Sequence, residues 1–144
     1  MAAALLRAYA EQRGDALRVE SAGTWGVEGE PASPLAQEVI AGRGLTLDGH
    51  VARTVTLELL LEADLIVVMT RSHRDALAAE FPEIRPKLHL MSELGGMQYD
   101  IADPYGRPLS AYETCATDLE QLIQRGYEQL QQWLSNSLQR LVNV

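Results

Sequence analysis

The stretch Asp64-Leu65-Ile66-Val67-Val68-Met69 decides the fold class of this chain. A continuous apolar run of this kind is typical of a parallel strand that helices cover on both faces. We therefore expect a buried strand over residues 64–69, and the neighbouring sequence is interpreted outward from it.

Helical patterns stand on both sides of this strand. Before the strand, Thr56 is placed to cap a short helix. After the strand, Thr70 or Ser72 can cap a second helix, which Pro82 ends. Alternation of helices and strands predicts a doubly wound α/β domain, although this chain opens on a helix. The predicted helices cover 2–13, 34 to 42 or 44, 57–61, 70–81 and a long segment from a Ser110–Glu113 capping box past 127; the predicted strands cover 17–20, 64–69 and 87–91.

The composition of the 144 residues limits both partners and compartment. Twelve Lys and Arg against twenty Asp and Glu give a net charge of −8, which disfavours bulk binding to nucleic acid or anionic membranes. No run reaches the roughly 18 apolar residues of a membrane span. The single cysteine, Cys115, excludes an intrachain disulfide framework and a multi-cysteine metal cluster, and it is interpreted as a small buried residue. We expect a cytoplasmic protein without a metal or cofactor.

An apolar stripe continues the long helix beyond Gly126. Packing against the domain and contact between copies of the chain are both open interpretations of it. We treat residues 126–144 as a helical extension of a domain that covers 1–125. The residues of the stripe are Leu130, Trp133, Leu134, Leu138 and Leu141.

The tetrapeptide Asp103-Pro104-Tyr105-Gly106 is the most pointed local signal. It can hold a carboxylic acid out on a loop whose φ is fixed by proline, with an aromatic wall beside it. The same four residues also spell a type I turn. From the residues alone, both interpretations stay open.

Weaker signals lie at the ends of the other predicted strands. Ser21, Gly23 and Thr24 follow the strand at 17–20, where open α/β sheets place ligands, although an ordinary turn explains them equally well. Trp25 beside them suits either packing on a ligand or covering the edge of the core. His50 has no carboxylate or cysteine nearby in sequence and is interpreted as a hydrogen-bonded structural residue. Residues 70–73, Thr-Arg-Ser-His, suit either an anion-binding helix start or plain helix caps.

Five blocks of the sequence, taken in order, resemble the low-molecular-weight protein-tyrosine-phosphatase family. The resemblance covers residues 1 to about 125. It implies a three-layer, doubly wound α/β domain with a four-stranded parallel sheet, and hydrolysis of phosphomonoesters through a cysteinyl-phosphate intermediate without a metal. The blocks are Met1-Ala2-Ala3-Ala4-Leu5-Leu6-Arg7, Ser21-Ala22-Gly23-Thr24-Trp25, Gly49-His50-Val51-Ala52-Arg53, Ala63-Asp64-Leu65-Ile66-Val67-Val68-Met69-Thr70 and Asp103-Pro104-Tyr105-Gly106.

The resemblance also assigns roles to particular residues. Asp103 matches the general acid that protonates the leaving group and later helps deprotonate water. Tyr105 and Trp25 match aromatic residues at the substrate cleft, and Ser21 and His50 match residues that buttress the phosphate loop. The implied substrates are a phosphotyrosine protein or a small aryl phosphate.

The sequence departs from the family at its signature. A strand followed by cysteine, five residues, arginine and serine does not occur in the 144 residues, and Cys115 lies in a different segment. We therefore expect the family's first central strand to be absent and this chain, by itself, to be inactive. Loss of a central strand costs about as much as a domain's whole stability, about 5–15 kcal/mol, so poor folding alone is also expected.

Three interpretations of the function follow. The first is a phosphatase whose recorded start lies downstream of the nucleophile loop. The second is a truncated pseudo-phosphatase that acts as a binding or regulatory protein. The third is an arsenate reductase on the same fold, against which the presence of only one cysteine counts, because that chemistry shuttles a disulfide.

Overall fold

The computed structural model describes residues 1–24 and 27–142, with side chains to 138. The chain divides into two compact units, one of residues 1–55 and 103–124 and the other of 56–102 and 125–144. Short 3-10 helices cover Pro82–Lys87 and Met91–Gly95. The other elements are α1 (Ala2–Gln12), α2 (Pro34–Ala41), α3 (Leu57–Glu62), β1 (Ile66–Val68), α4 (Arg71–Glu80), β2 (Leu88–Leu90) and α5 (Leu109–Val142).

A two-stranded parallel sheet organises the second unit. β1 pairs with β2 in the register Ile66↔Leu88, and α4 makes the crossover between them. Thr56 Oγ1 accepts the amide N–H of Leu59 at 3.3 Å and caps α3. Thr70 Oγ1 accepts the N–H of His73 at 3.1 Å and caps α4. The predicted α/β class, the two caps and this pair of strands are confirmed.

The burial predicted for the first of these strands is wrong. All three residues of β1 are only half-buried, whereas β2 is buried at both ends. Both strands have a single strand neighbour in the sheet of the described residues, so the difference in burial comes from what covers their faces. Outside this sheet, the described residues also form an isolated parallel bridge between Gly23 and Thr54. The four-stranded sheet that the resemblance implies therefore stays a prediction.

The second unit packs α5 closely against the turn at Met91–Gly95. A Cβ atom placed on Gly126 would overlap both the side chain and the carbonyl of Leu94, so glycine allows this approach. Further along the stripe, Leu130 is buried and the Trp133 ring stacks on His89 with centroids 4.0 Å apart. Packing against the domain is thus the role of these two residues. Leu134 is half-buried and Leu138 is 52% exposed, and the side chain of Leu141 lies outside the described residues.

The first unit packs α1 and α2 with the beginning of α5. Ser33 is the N-cap of α2, as predicted, but its hydroxyl donates to the Tyr112 hydroxyl at 3.3 Å instead of capping the helix. Arg43, at the end of α2, forms ion pairs with Glu113 and Glu120 at 2.9 and 3.1 Å. Val39 and Ile40 of α2 are fully buried in the core of this unit, as is Ala116 of α5.

Two local predictions in the first unit are wrong. Residues 17–20 form no strand, because alternation makes a strand only where a neighbour supplies hydrogen bonds, and the described residues provide just the bridge at Gly23. The capping box is also incorrect. α5 begins at Leu109, which places Ser110 inside the first turn, where its carbonyl accepts the Thr114 hydroxyl at 2.9 Å.

Candidate active site

The turn predicted at 103–106 forms one residue later, over 104–107, and the positive φ of Gly106 at its third position is typical of type II, not of the predicted type I. The assignment of Asp103 as an acid stays a prediction. Asp103 Oδ1 accepts the N–H of Tyr105 at 3.0 Å, and the carbonyl of Pro104 accepts the N–H of Arg107 at 3.0 Å. Gly106 has φ +76°, which explains the glycine at that position. One carboxylate oxygen of Asp103 therefore holds the turn, while its exposed side chain keeps the second oxygen for other partners.

The aromatic neighbour of this carboxylate points into solvent. The Tyr105 side chain is 76% exposed, whereas Pro104 beneath it is buried. A buried proline with fixed φ anchors the turn and leaves the tyrosine ring free to cover a ligand. The pairing of an exposed carboxyl group with an exposed aromatic ring is a geometry suited to proton transfer beside an apolar leaving group.

Two segments of the first unit, residues 20–24 and 49–55, lie side by side. Gly23 donates its N–H to the Arg53 carbonyl at 2.9 Å, and the Gly23 carbonyl accepts the Val55 N–H at 2.9 Å. The Arg53 guanidinium reaches back to the Ser21 carbonyl at 2.9 Å and to Glu20 Oε2 at 2.8 Å. Hydrogen bonds to the Glu20 carboxylate, the largest effect from Arg53 and the next from Arg18, lower the pKa of Glu20. We call residues 20–24 and 49–55 the paired segments.

The paired segments carry two of the predicted site residues. Ser21 is exposed and His50 is half-buried, and neither side chain makes a hydrogen bond within the described part of the chain. The backbone N–H of His50 donates to the Leu47 carbonyl at 3.0 Å, just after Gly49 with φ +77°. Both side chains thus keep their hydrogen-bonding capacity for a ligand or a loop. The interpretation of His50 as a hydrogen-bonded structural residue is not supported.

The structure brings Ser21 and His50 onto adjacent segments and places Asp103 with Tyr105 on one turn. Among residues 1–24 and 27–138, no hydrogen bond or ion pair joins the turn to the paired segments. Trp25 lies outside the described residues. The same described side chains contain no group of three His, Cys, Asp or Glu arranged to hold a metal ion.

Cys115 lies in the second turn of α5 and is half-buried. Burial raises the pKa of its thiol, the positive amino terminus lowers it, and the carboxylates of Asp118 and Asp103 raise it further. A raised pKa leaves less thiolate, and thiolate is the nucleophilic form. The residue six positions later is Gln121, not arginine. Cys115 therefore lacks the surroundings of a catalytic nucleophile.

The start of α4 is occupied by the chain's own carboxylate. Asp100 Oδ1 accepts the backbone N–H of Arg71 at 2.9 Å and its Nε at 3.0 Å. This carboxylate and the Thr70 hydroxyl satisfy the N–H groups of Arg71 and His73 at the helix start, so the chain itself caps α4. The backbone N–H and then the guanidinium of Arg71 lower the pKa of Asp100.

Sequence reasoning missed two residues of this geometry. Asp100 acts on a helix that begins 29 residues earlier, and no local pattern signals that distance. The resemblance includes Arg53 in the block 49–53 but assigns no role to it. Its two partners 32 and 33 residues away are visible only once the paired segments meet.

Known proteins resemble this chain over most of its length. A protein-arginine-phosphatase of Bacillus subtilis is 33% identical over 131 residues, which are 90% of this chain and 87% of that protein. A probable low molecular weight protein-tyrosine-phosphatase EpsP of Ralstonia nicotianae is 36% identical over 128 residues, 89% of this chain and 81% of that protein.

A solved structure is also similar. The YwlE arginine phosphatase, in a cysteine-to-serine mutant with a phosphorylated active-site serine, superposes with a TM-score of 0.85 at 32% identity, covering 90% of this chain and 86% of that one. The profile of the family described as low molecular weight phosphotyrosine protein phosphatase matches residues 1–137. This chain therefore belongs to the low molecular weight phosphotyrosine protein phosphatase family, a family of protein phosphatases.

Proposed function

We propose that this chain supplies the proton-transfer half of a protein phosphatase site, with Asp103 as general acid and base. The observation that carries the proposal is the 103–106 turn. One oxygen of Asp103 fixes the turn at 3.0 Å from Tyr105 N, and the exposed carboxyl group stands beside an exposed ring. Membership of a phosphatase family supports the same assignment.

The proposed reaction has two steps. A thiolate attacks phosphorus, the bond from phosphorus to the leaving oxygen breaks, and Asp103 gives its proton to that oxygen. The Asp103 carboxylate then removes a proton from water, which attacks the cysteinyl phosphate and releases inorganic phosphate and the thiolate. The solved relative with a phosphorylated active-site serine in place of cysteine supports a covalent intermediate of this kind.

The nucleophile of this reaction is not among the 144 residues. They contain no Cys-x5-Arg sequence, and the pKa of the Cys115 thiol is raised by burial, the direction opposite to activation. We therefore propose that the polypeptide of 144 residues does not turn over phosphomonoesters by itself, and that Ser21 and His50 buttress a phosphate loop supplied from outside these residues.

Hydrolysis of p-nitrophenyl phosphate tests the proposal in two forms of the protein. The first is the chain of 144 residues. The second, the completed chain, is the same sequence preceded by a strand and a Cys-x5-Arg-Ser loop taken from a family member; replacing its added cysteine by serine gives the control. We expect turnover in the completed chain alone. Turnover by the 144-residue chain, or none by a folded completed chain, contradicts the proposal.

The DNA immediately upstream of the Met1 codon provides an independent test. An in-frame apolar strand followed by Cys-x5-Arg-Ser supports a working phosphatase. An in-frame stop codon, combined with an inactive chain, supports the second interpretation, a pseudo-phosphatase with a binding or regulatory role. In that case Asp103 has no displaced leaving group to protonate.

Phosphoarginine is a second candidate substrate beside phosphotyrosine. The observation that favours it is the name protein-arginine-phosphatase carried by the relative that aligns over 90% of this chain. The ratio of kcat/KM for a phosphoarginine peptide to that for a phosphotyrosine peptide, measured on the completed chain, decides between them. We expect phosphotyrosine to be preferred, because the exposed ring of Tyr105 suits an aromatic leaving group.

Compartment and assembly complete the proposal. Residues 1–24 and 27–142 include no helix long and apolar enough to cross a membrane. We propose a cytoplasmic location, which the single cysteine supports, and a phosphorylated protein or small aryl phosphate as substrate.

Self-association through the exposed end of the stripe also stays a proposal. Light scattering of the wild type and Leu138→Glu tests it, with a fall in mass expected only if this residue lies in a contact between copies.

A further inference from the structure

We propose that Arg53 is a positioning residue for Ser21. The side chain and the main chain of Arg53 both bind the segment that carries this serine. Its Nε lies 2.9 Å from the Ser21 carbonyl, and its own carbonyl accepts the Gly23 N–H at 2.9 Å. One residue therefore binds both peptide groups that flank Ala22, the 21–22 carbonyl and the 22–23 N–H.

A third contact fixes the guanidinium plane. Arg53 Nη2 donates to Glu20 Oε2 at 2.8 Å while Nε donates to the Ser21 carbonyl. Two donors of one rigid fork thus engage two successive residues, which a lysine ammonium cannot reproduce, because it is a point charge on a flexible stem. The contact with the Ser21 carbonyl restricts the backbone around Ser21 and, with it, the direction in which its Cα–Cβ bond points.

Arg18 provides a matched comparison on the same carboxylate. It donates through Nε to Glu20 Oε1 at 2.8 Å, and its side chain is 83% exposed. It makes no contact with Ser21 or Gly23 among the described hydrogen bonds. Two arginines therefore share one glutamate, but only Arg53 links it to the serine peptide.

Ser21 matters for function only if it buttresses a phosphate loop, so the functional part of this inference rests on the proposed function. Without the two contacts of Arg53, the segment that carries Ser21 can move. The serine hydroxyl then contacts the phosphate loop less often, and fewer molecules hold that loop in its reactive orientation. The expected effect is on kcat, because the buttress orients reacting groups and does not itself bind substrate.

The test compares Arg53→Lys, Arg53→Gln and the control Arg18→Gln by two readouts. Amide hydrogen exchange of the completed chain follows Gly23 and Val55. We expect both Arg53 variants to raise exchange there at least about tenfold while amides of α2 and α5 stay within about twofold, and Arg18→Gln to change neither. In the completed chain, we expect kcat to fall about tenfold with KM unchanged for both Arg53 variants.

Unchanged exchange at Gly23 in Arg53→Gln overturns the inference, as does full activity of Arg53→Lys. A uniform rise in exchange that includes α2 and α5 also overturns it, because it means that Arg53 only stabilises the unit as a whole. If the completed chain with Arg53 intact is inactive, the proposed function fails, while the exchange data still decide whether Arg53 fixes this segment.

Discussion

The start of α4 and the paired segments differ in whether their polar side chains have hydrogen-bond partners within the chain. At α4, the Thr70 hydroxyl accepts a helix N–H and Arg71 is bound through both its backbone and its side chain to Asp100. In the paired segments, Arg53 is fully engaged, but the side chains of Ser21 and His50 form no hydrogen bond among the described residues.

This difference separates a structural site from a candidate functional one. Free N–H groups at a helix start attract an anion, and at α4 the chain provides that anion itself. The Ser21 hydroxyl is exposed and the His50 ring is half-buried, so both have hydrogen-bonding capacity that a ligand or a loop can take from water. Ser21 and His50 are therefore candidates for contact with a ligand or loop, whereas the side chains at the start of α4 already have partners within the chain.

Asp103→Asn in the completed chain extends this comparison to the two aspartates, Asp103 and Asp100, and has the largest expected effect. Asparagine keeps an oxygen for the Tyr105 N–H and thus preserves the turn, but it cannot donate a carboxylic proton. We expect kcat for phenyl phosphate to fall by about 10²–10⁴-fold with little change in thermal stability. A smaller loss is expected for p-nitrophenyl phosphate, whose leaving group needs less protonation.

Asp100→Asn is the matched control, because this aspartate lies three positions from Asp103 and is also exposed. It lowers the melting temperature and leaves kcat unchanged, since Asp100 serves α4 and not the reaction. Activity loss in Asp100→Asn equal to that in Asp103→Asn would remove the distinction between the two carboxylates.

Gly126→Ala is expected to have the largest effect on stability. Alanine favours the helix by up to about 1 kcal/mol, but its Cβ overlaps the Leu94 carbonyl, which no rotamer change relieves. We expect a net loss of about 1–3 kcal/mol in the free energy of unfolding, measured in urea.

Gly42→Ala is the control in the other unit. A Cβ there meets the Val39 carbonyl at 3.5 Å, an ordinary contact, and φ is −61°. We expect no loss and a gain of up to about 1 kcal/mol. Equal losses at both glycines would mean that the approach of α5 to Leu94 is not a constraint.

How much of this fold the sequence predicts depends on the range of the interactions. Thr56 and Thr70 cap helices that begin at the next residue, so local pattern was sufficient for them. The strand predicted at 17–20 failed because a strand depends on a neighbour that lies far along the chain.

The candidate site shows the same limit. The tetrapeptide at 103–106 is local, and its turn and exposed carboxyl group follow from its own residues. The fork of Arg53 and the cap by Asp100 join residues about 30 positions apart, and no spacing rule reaches across that distance. The residues themselves left Ser21 and His50 with ordinary structural interpretations, and the resemblance gave them a role beside a phosphate loop.

Thr70→Ala tests the cap of α4, and its expected effect on stability is smaller than that of Gly126→Ala. Removing the hydroxyl leaves the His73 N–H without its acceptor, and we expect a loss of about 1 kcal/mol in the free energy of unfolding. Ser72→Ala, inside the first turn, is expected to be neutral or slightly stabilising because alanine is the better helix former. The reverse order of the two effects would assign the cap to Ser72.

The pH dependence of the Asp100 cap is the smallest expected effect. Bonds from Arg71 lower the pKa of Asp100 in the folded chain below its unfolded value of about 4. The stabilisation is therefore complete above that value and is lost as the pH falls through the folded pKa. The difference in melting temperature between wild type and Asp100→Asn should be constant from pH 7 to about 5 and shrink below about 4. The difference for Thr70→Ala, which does not titrate, should not depend on pH. A wild-type advantage over Asp100→Asn that persists at the lowest pH would show that the ionised carboxylate is not what holds the start of α4.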